Sequence, residues 1–432
     1  MKINSAKRPY AQVAAMERPK RKKPLKPMFF FRLLIPLLSI WELLALRFSV
    51  KKIGMEKLGK KEPALFLMNH SAFLDMKIAC TILFPRALNI VASTDAFIGK
   101  AWIMRLIGCI PAQKYVTDAP MVRDMIYALH QLKSSVLMYP EACYSFDGTS
   151  TTLPDSLGKC LKMMKVPLVM IRTQGVFHRV PLYNGLRSRK VKVSAEMEYI
   201  LSAEEIAKMS VQELNEVIAK LFGFDNFRWQ QENGVKITEP NRAEDLNRVL
   251  YKCPHCLAEG KTVGKGTTLT CTNCGKVYSL TEDGFMEAQD GNTEFPHIPD
   301  WFRWQRQEVR KELEAGTYLL DTDVDIIMQV DYKRVYEVGS GHLTHDENGF
   351  HLTGCDGQLD YYHKPESAYT IYADYYWYQI ADVIGLGNSK VYYFCFPKIQ
   401  GDVVAKTRLA AEELYKMTVE KRRGALAEKV KA

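Results

Sequence analysis

Acidic residues are almost missing from the first 27 positions. Glu17 stands alone there against Lys2, Lys7, Arg8, Arg18, Lys20, Arg21, Lys22, Lys23 and Lys26. Nine cations against one acid account for most of the chain's formal charge of +10, so the remaining residues are nearly neutral. That balance describes a basic tail on a neutral body. It excludes a nucleic-acid-binding surface spread over a domain, and no nucleic-acid partner is expected. Also lacking is an unbroken apolar run of the ~20 residues that a membrane span requires. The nearest approach, 28–47, is interrupted by Arg32, Pro36 and Glu42. No small-residue cleavage site follows it, which argues against a cleaved signal peptide. There is no tandem repeat. Six of the ten cysteines (Cys80, Cys109, Cys143, Cys160, Cys355 and Cys395) are scattered singly. This spacing speaks for a reducing cytosol and against a disulfide framework.

What is present is an ordinary globular composition, 47% hydrophobic and 25% charged. A length of 432 residues predicts two or three domains. A helix lying in a membrane interface tolerates the charges inside 28–47, and a polybasic neighbour attracts it to anionic lipid. We therefore expect residues 1–48 to form a basic tail and a membrane-associating helix, held peripherally or interfacially at the cytoplasmic face of a membrane. The alternatives are a single span, and a buried amphipathic helix with a solvated tail.

Residues 49–225 alternate short apolar runs with helical patterns. Strands are predicted at 64–68, 88–92, 136–139 and 167–172. Helices are predicted at 73–84, 97–107, 121–132, 157–164 and 203–221. This alternation reads as an α/β layer fold with a mixed sheet and flanking helices. Residues 248–285 are rich in Gly, Thr and Cys and read as a small module. A helix is expected over 300–313. Within 300–432, strands are expected at 335–338, 350–352, 359–363, 368–372, 376–380 and 391–396, followed by a helix capped by Asp402. Antiparallel strands ending in one helix match the order of a pleckstrin-homology-like domain.

The module at 248–285 carries the most specific local motif. Cys253 and Cys256 form one C-x-x-C knuckle, and Cys271 and Cys274 form a second. Four thiolates close a tetrahedral zinc site with no open position, so the zinc is expected to be structural. Gly275 supplies the φ > 0 turn that a knuckle needs. His255 is read as a spectator.

The second constellation is His70 with Asp75. A His at a strand-to-helix turn can project into a cleft, and an acid one helical turn on can bend back to its other ring nitrogen. Such a pair can take a proton from a hydroxyl. Alone, the spacing is more often structural. It gains weight from Pro140, Glu141 and Ser145, which follow another buried strand where α/β proteins place ligand groups. Together, Asn69, His70 and Asp75, then Pro140, Glu141 and Ser145, then Val166, Pro167 and Leu168 resemble the conserved blocks of the glycerophospholipid (lysophosphatidic acid) acyltransferase family. The resemblance covers roughly residues 50–220.

The resemblance implies transfer of a fatty acyl group to a lysophospholipid-like hydroxyl in phospholipid biosynthesis. The donor would be an acyl-CoA or acyl-carrier-protein thioester, and the acceptor a membrane lipid. His70 would be the general base, oriented by Asp75. Asn69, Lys114, Pro140, Glu141 and Ser145 would bind substrate. Two departures matter. Lys114 stands where the family's second block has Arg, and Ala142, Cys143 and Tyr144 replace the Gly, Thr and Arg of the third. The grip on an acceptor phosphate is therefore weakened, because an ammonium cannot fork as a guanidinium does. Two other readings remain. One is a catalytically weak lipid-binding or scaffold protein on the same fold. The other is a thioesterase with Cys143 as nucleophile. A protein partner at the zinc module or the C-terminal domain is a further expectation.

Overall fold

The computed structural model describes residues 3–116, 118–399 and 402–431. The chain divides into two compact units. One comprises Lys20–Gln113 and Asp118–Ile237, and the other Met1–Pro19, Lys114–Thr117 and Thr238–Ala432.

The first unit is built on a seven-stranded sheet. Its strands are β1 (Ser49–Ile53), β2 (Leu65–Met68), β3 (Leu88–Ser93), β4 (Cys109–Ala112), β5 (Ser135–Met138), β6 (Leu168–Gln174) and β7 (Ser194–Leu201). They lie in the order β1-β7-β6-β2-β5-β3-β4. The five from β6 to β4 are parallel to one another, whereas β7 runs antiparallel to β6 with β1 parallel beside it. Every residue of β2 and β5 is buried. Strands covered on both faces are continuous in hydrophobicity, which is why these were legible without alternation. One face, bearing Leu65, Leu67, Val136, Met138, Leu168 and Met170, joins the helices Ala119–His130, Leu157–Met164 and Val211–Leu221 in a single core.

Several expected elements are corrected. The helix expected over 97–107 is a 3-10 turn, Thr94–Phe97, and a short helix, Ala101–Leu106. Gly99 breaks it with φ 72°. The single helix expected over 203–221 is two, Ala203–Lys208 and Val211–Leu221, because Ser210 starts a new capping box with Glu213. Strands β1, β4 and β7 were not predicted. Ser5–Lys7 pairs with Val335–Glu337 as a parallel strand in the second unit. Arg21, in the first unit, reaches Asp124 at 2.7 Å and Asp118 at 3.4 Å.

Helix α1 (Phe29–Ala45) buries only Pro36, Ser39 and Leu43 along its length. It leaves Phe30, Leu37, Leu38, Trp41 and Leu44 exposed. Glu42 ties it to Lys77 of helix α2 (Phe73–Ile82) at 2.6 Å. Among the described residues no helix is long and apolar enough to cross a membrane.

The second unit opens with a four-stranded antiparallel sheet of Thr262–Lys265, Thr268–Cys271, Val277–Leu280 and Met286–Ala288. The helix Ile298–Glu314 follows, then seven antiparallel strands and the helix Val403–Lys431. The seven pair in the order Leu359–His363, Gly349–Gly354, Val335–Asp346, Leu320–Gln329, Tyr392–Pro397, Ala381–Gly387, Tyr372–Trp377. The strands Leu320–Gln329 and Ala381–Gly387 were not foreseen. The strands expected at 368–372 and 376–380 are one strand, Tyr372–Trp377, closed by a turn in which Tyr378 and Gln379 adopt positive φ. Asp402, the expected cap of the last helix, accepts a hydrogen bond from the Asn247 amide.

Candidate active site

Strands β2, β5 and β6 are neighbours and run parallel, so the segments leaving their C-terminal ends converge. This is where open α/β sheets place their ligands. Asn69 and His70 follow β2, Tyr139, Pro140 and Glu141 follow β5, and Thr173 lies near the end of β6.

Asp75 sits in the first turn of α2, where the helix dipole favours a carboxylate. Its Oδ2 accepts hydrogen bonds from the backbone N–H of Ser71 at 2.6 Å and of Ala72 at 2.9 Å. The same oxygen lies 3.3 Å from His70 Nδ1. Its Oδ1 accepts the Thr173 hydroxyl at 2.8 Å. The carboxylate is fully buried, while the His70 side chain is 20% exposed. An anchored acid behind and a reachable imidazole in front is the arrangement a general base needs.

Glu141 joins the β5 segment to this pair. It is fully buried, with Oε2 accepting His70 N–H at 2.9 Å and Oε1 accepting Thr151 N–H at 3.0 Å. Burial pushes its carboxyl up to about 7 against the pull of these backbone donors and the Ser150 hydroxyl, and the nearby Asp75 charge pushes the same way as burial. The ring of Tyr139 stacks on His70 with centroids 4.1 Å apart and planes at 26°. Tyr144 meets His70 edge-on at 4.6 Å.

The other expected site residues are placed as follows. Asn69 is fully buried. Its Oδ1 accepts Thr173 N–H at 2.8 Å, and its Nδ2 donates to Thr173 O at 3.1 Å. Its side chain thus clamps β2 to β6. Ser145 is buried too, donating to Thr149 O at 2.6 Å and accepting Gly148 N–H at 2.9 Å, so it shapes the loop after Glu141. Pro140 is buried between Tyr139 and Glu141. Lys114 belongs to the second unit, where its Nζ lies 3.9 Å over the Tyr372 ring. Cys143 is buried, and no hydrogen bond joins it to His70 among the described residues. Arg172, which precedes Thr173 in β6, donates to Leu221 O at 3.0 Å and lies 3.8 Å from Glu196. Strand alternation turns it away from the face on which its neighbour Thr173 meets Asp75.

Sequence reasoning missed Thr173, Tyr139 and Thr151. The change from the apolar 168–171 to the polar Arg172, Thr173 and Gln174 at the C-terminal end of β6 was the available signal for Thr173.

In the second unit the four cysteines come together as expected, with their Sγ atoms all within 4.8 Å of one another. Cys253 and Cys274 are 3.9 Å apart, and Cys256 and Cys271 3.7 Å. A tetrahedron with Zn–S bonds of about 2.3 Å has edges of about 3.8 Å, so the donor set fits a metal of that size. The two knuckles share one backbone design. Leu257 N–H donates to Cys253 O and Gly275 N–H to Cys271 O, each at 2.9 Å, with φ of 63° and 78° at the two donors. His255 points to Glu294 at 3.2 Å.

The family model described as Acyltransferase matches residues 49–174. The comparison with curated proteins gave no match. Among solved structures, the 1-acyl-sn-glycerophosphate (LPA) acyltransferase PlsC from Thermotoga maritima is similar at 15% identity and a TM-score of 0.34, over 44% of this chain and 77% of that one. The chain therefore carries an acyltransferase-family segment at residues 49–174, and that segment contains His70, Asp75, Glu141 and Thr173.

Proposed function

We propose that this chain is an O-acyltransferase working at a membrane surface. It would move a fatty acyl group from an acyl-CoA or acyl-carrier-protein thioester to the hydroxyl of a lysophospholipid-like acceptor. The observation that carries the reading is the His70–Asp75 contact at 3.3 Å, with the imidazole reachable and the carboxylate buried, inside the acyltransferase-family segment. Asp75 holds the tautomer that leaves Nε2 free. His70 Nε2 takes the acceptor's hydroxyl proton as its oxygen bonds to the thioester carbonyl carbon. The C–S bond then breaks, and the leaving thiolate receives that proton. Oriented acceptor, base and donor suffice, and no covalent acyl-enzyme is needed. The Cys143 thioesterase reading is disfavoured because Cys143 lies buried and no hydrogen bond joins it to His70 among the described residues.

Membrane delivery is assigned to α1. Its 17 residues fall short of the ~20 needed to span, and its outward Phe30, Leu37, Leu38, Trp41 and Leu44 suit insertion into an interface. Phe73, three residues after His70, is likewise exposed. The acceptor's head group is read as one that does not depend on a forked arginine, since Tyr144 stands at the family's Arg position. The four cysteines are assigned one structural zinc ion.

The test is acyl transfer from radiolabelled acyl-CoA or acyl-carrier protein to a panel of lysolipids in vesicles, using the full chain. His70→Ala is expected to lower the rate by about 10²–10⁴-fold, and Cys143→Ala to keep most of it. Full activity in His70→Ala sinks the base assignment. The reverse pattern of the two variants favours Cys143 as a thiol nucleophile instead. No transfer by the wild type to any acceptor favours the scaffold reading.

A further inference from the structure

His70 is poised by more than Asp75. The 3.3 Å separation is longer than the ~2.7–2.9 Å of a tight charge-assisted hydrogen bond, so this single contact constrains the imidazole plane loosely. The rings supply what it lacks. Strand β5 is registered beside β2 with Leu67 opposite Met138, so the next residues bring Tyr139 beside the His70 segment. The bond from His70 N–H to Glu141 then locks the two segments together. Tyr139 is stacked face-on to the imidazole at 4.1 Å, and Tyr144 closes on it edge-on at 4.6 Å. The Tyr139 hydroxyl is buried and has no hydrogen-bond partner among the described residues, so its ring and not its oxygen meets the site.

We infer that Tyr139 is a positioning residue for His70. Its ring sets the plane of the imidazole and stabilises the imidazolium that forms when His70 takes the acceptor's proton. The inference rests on the base role proposed for His70. A cation within about 6 Å of an aromatic face is attracted by the ring quadrupole. The attraction is small for neutral imidazole and grows as charge develops, so it acts on the transition state more than on the bound substrate. No bond is made or broken at Tyr139. Among the described residues, the charged and titratable groups in contact with His70 are Asp75 from α2, Glu141 through the backbone, and Tyr139 and Tyr144 themselves.

The test compares Tyr139→Phe, Tyr139→Leu and Tyr139→Met with His70→Ala in the lysolipid assay, with thermal melting as the folding control. Phe keeps the ring and is expected within about threefold of wild-type kcat. Leu and Met are expected to lose about five- to thirtyfold in kcat with KM little changed. The acid limb of their kcat/KM profile should move to lower pH, which a packing defect alone would not cause. Whichever of Leu and Met melts like the wild type decides the question. Wild-type kcat in that variant overturns the inference, and so does a Phe variant as slow as Leu, since the hydroxyl would then be the active part. An active His70→Ala overturns the base role itself, and it reads separately from any Tyr139 result.

Discussion

Ala142 adopts φ 55°, a left-handed conformation that costs a β-carbon-bearing residue about 1–2 kcal/mol. The acyltransferase family has glycine at this point of its third block, and the backbone here still takes the shape that glycine favours. Ala142→Gly is expected to raise unfolding free energy by up to about 1 kcal/mol after the cost of a freer unfolded chain. Urea titration measures it, and a less stable variant would show that the turn is not strained. His70, Asp75 and Glu141 were legible because their spacing and residue types carry chemistry locally. Thr173 was not, because its role comes from β6 lying beside β2, a pairing across 104 positions of sequence. Asn69 was read as touching substrate, yet its polar atoms are turned to Thr173 in the buried layer. Lys114 was assigned by block spacing, and spacing says nothing about which unit a loop joins.

At the scale of elements, periodicity served where one face of an element is distinct. Helix α1 was expected from the apolar run 28–47, and its outward stripe at positions 30, 37, 41 and 44 follows the helical repeat. Large apolar side chains of this kind contribute about 1.5–3 kcal/mol each when withdrawn from water. Replacing Leu38 and Trp41 together by Glu should abolish flotation with anionic vesicles and leave the melting temperature nearly unchanged, since both residues are exposed in the fold. Undiminished flotation would move the membrane contact elsewhere. The strand Leu320–Gln329 escaped detection although its alternation is clear in retrospect. Leu320, Thr322, Val324 and Ile326 are buried, while Asp321, Asp323 and Asp325 face outward. Three aspartates in six residues read as a loop when composition outweighs period.

At the scale of the whole molecule, composition suggested four segments and the fold resolves two units. The four-cysteine module and the C-terminal strands share one of them, and the helix between them bonds to the first knuckle. Trp301 Nε1 donates to Lys252 O at 3.0 Å, and Gln305 Oε1 accepts Lys252 N–H at 3.0 Å, one residue before Cys253. The Lys252 ammonium lies 3.2 to 3.4 Å from carboxylates of Glu259, Glu308 and Glu312. Lys406, from the last helix, bridges Glu259 and Glu312 at 2.6 Å each. Stripping the metal should therefore soften more than a loop. Purified chain is expected to release about one zinc per molecule to a chelator, with a fall in the melting temperature of the second unit. A metal-free preparation that melts like the untreated one would show that the cysteines need no ion.

The strand Ser5–Lys7 bears on how deletion experiments are interpreted. Its backbone lies parallel to Val335–Glu337, Asn4 O accepts Val335 N–H at 2.9 Å, and Val13 just beyond it is buried. Trimming the chain back to residue 48 would take away more than helix α1, because the strand 335–346 would lose a backbone partner. A truncated protein that neither floats nor transfers acyl groups could owe either loss to a damaged sheet. Point substitutions on the outer face of α1 separate these causes, and an affinity tag placed after the last helix leaves the N-terminal strand undisturbed.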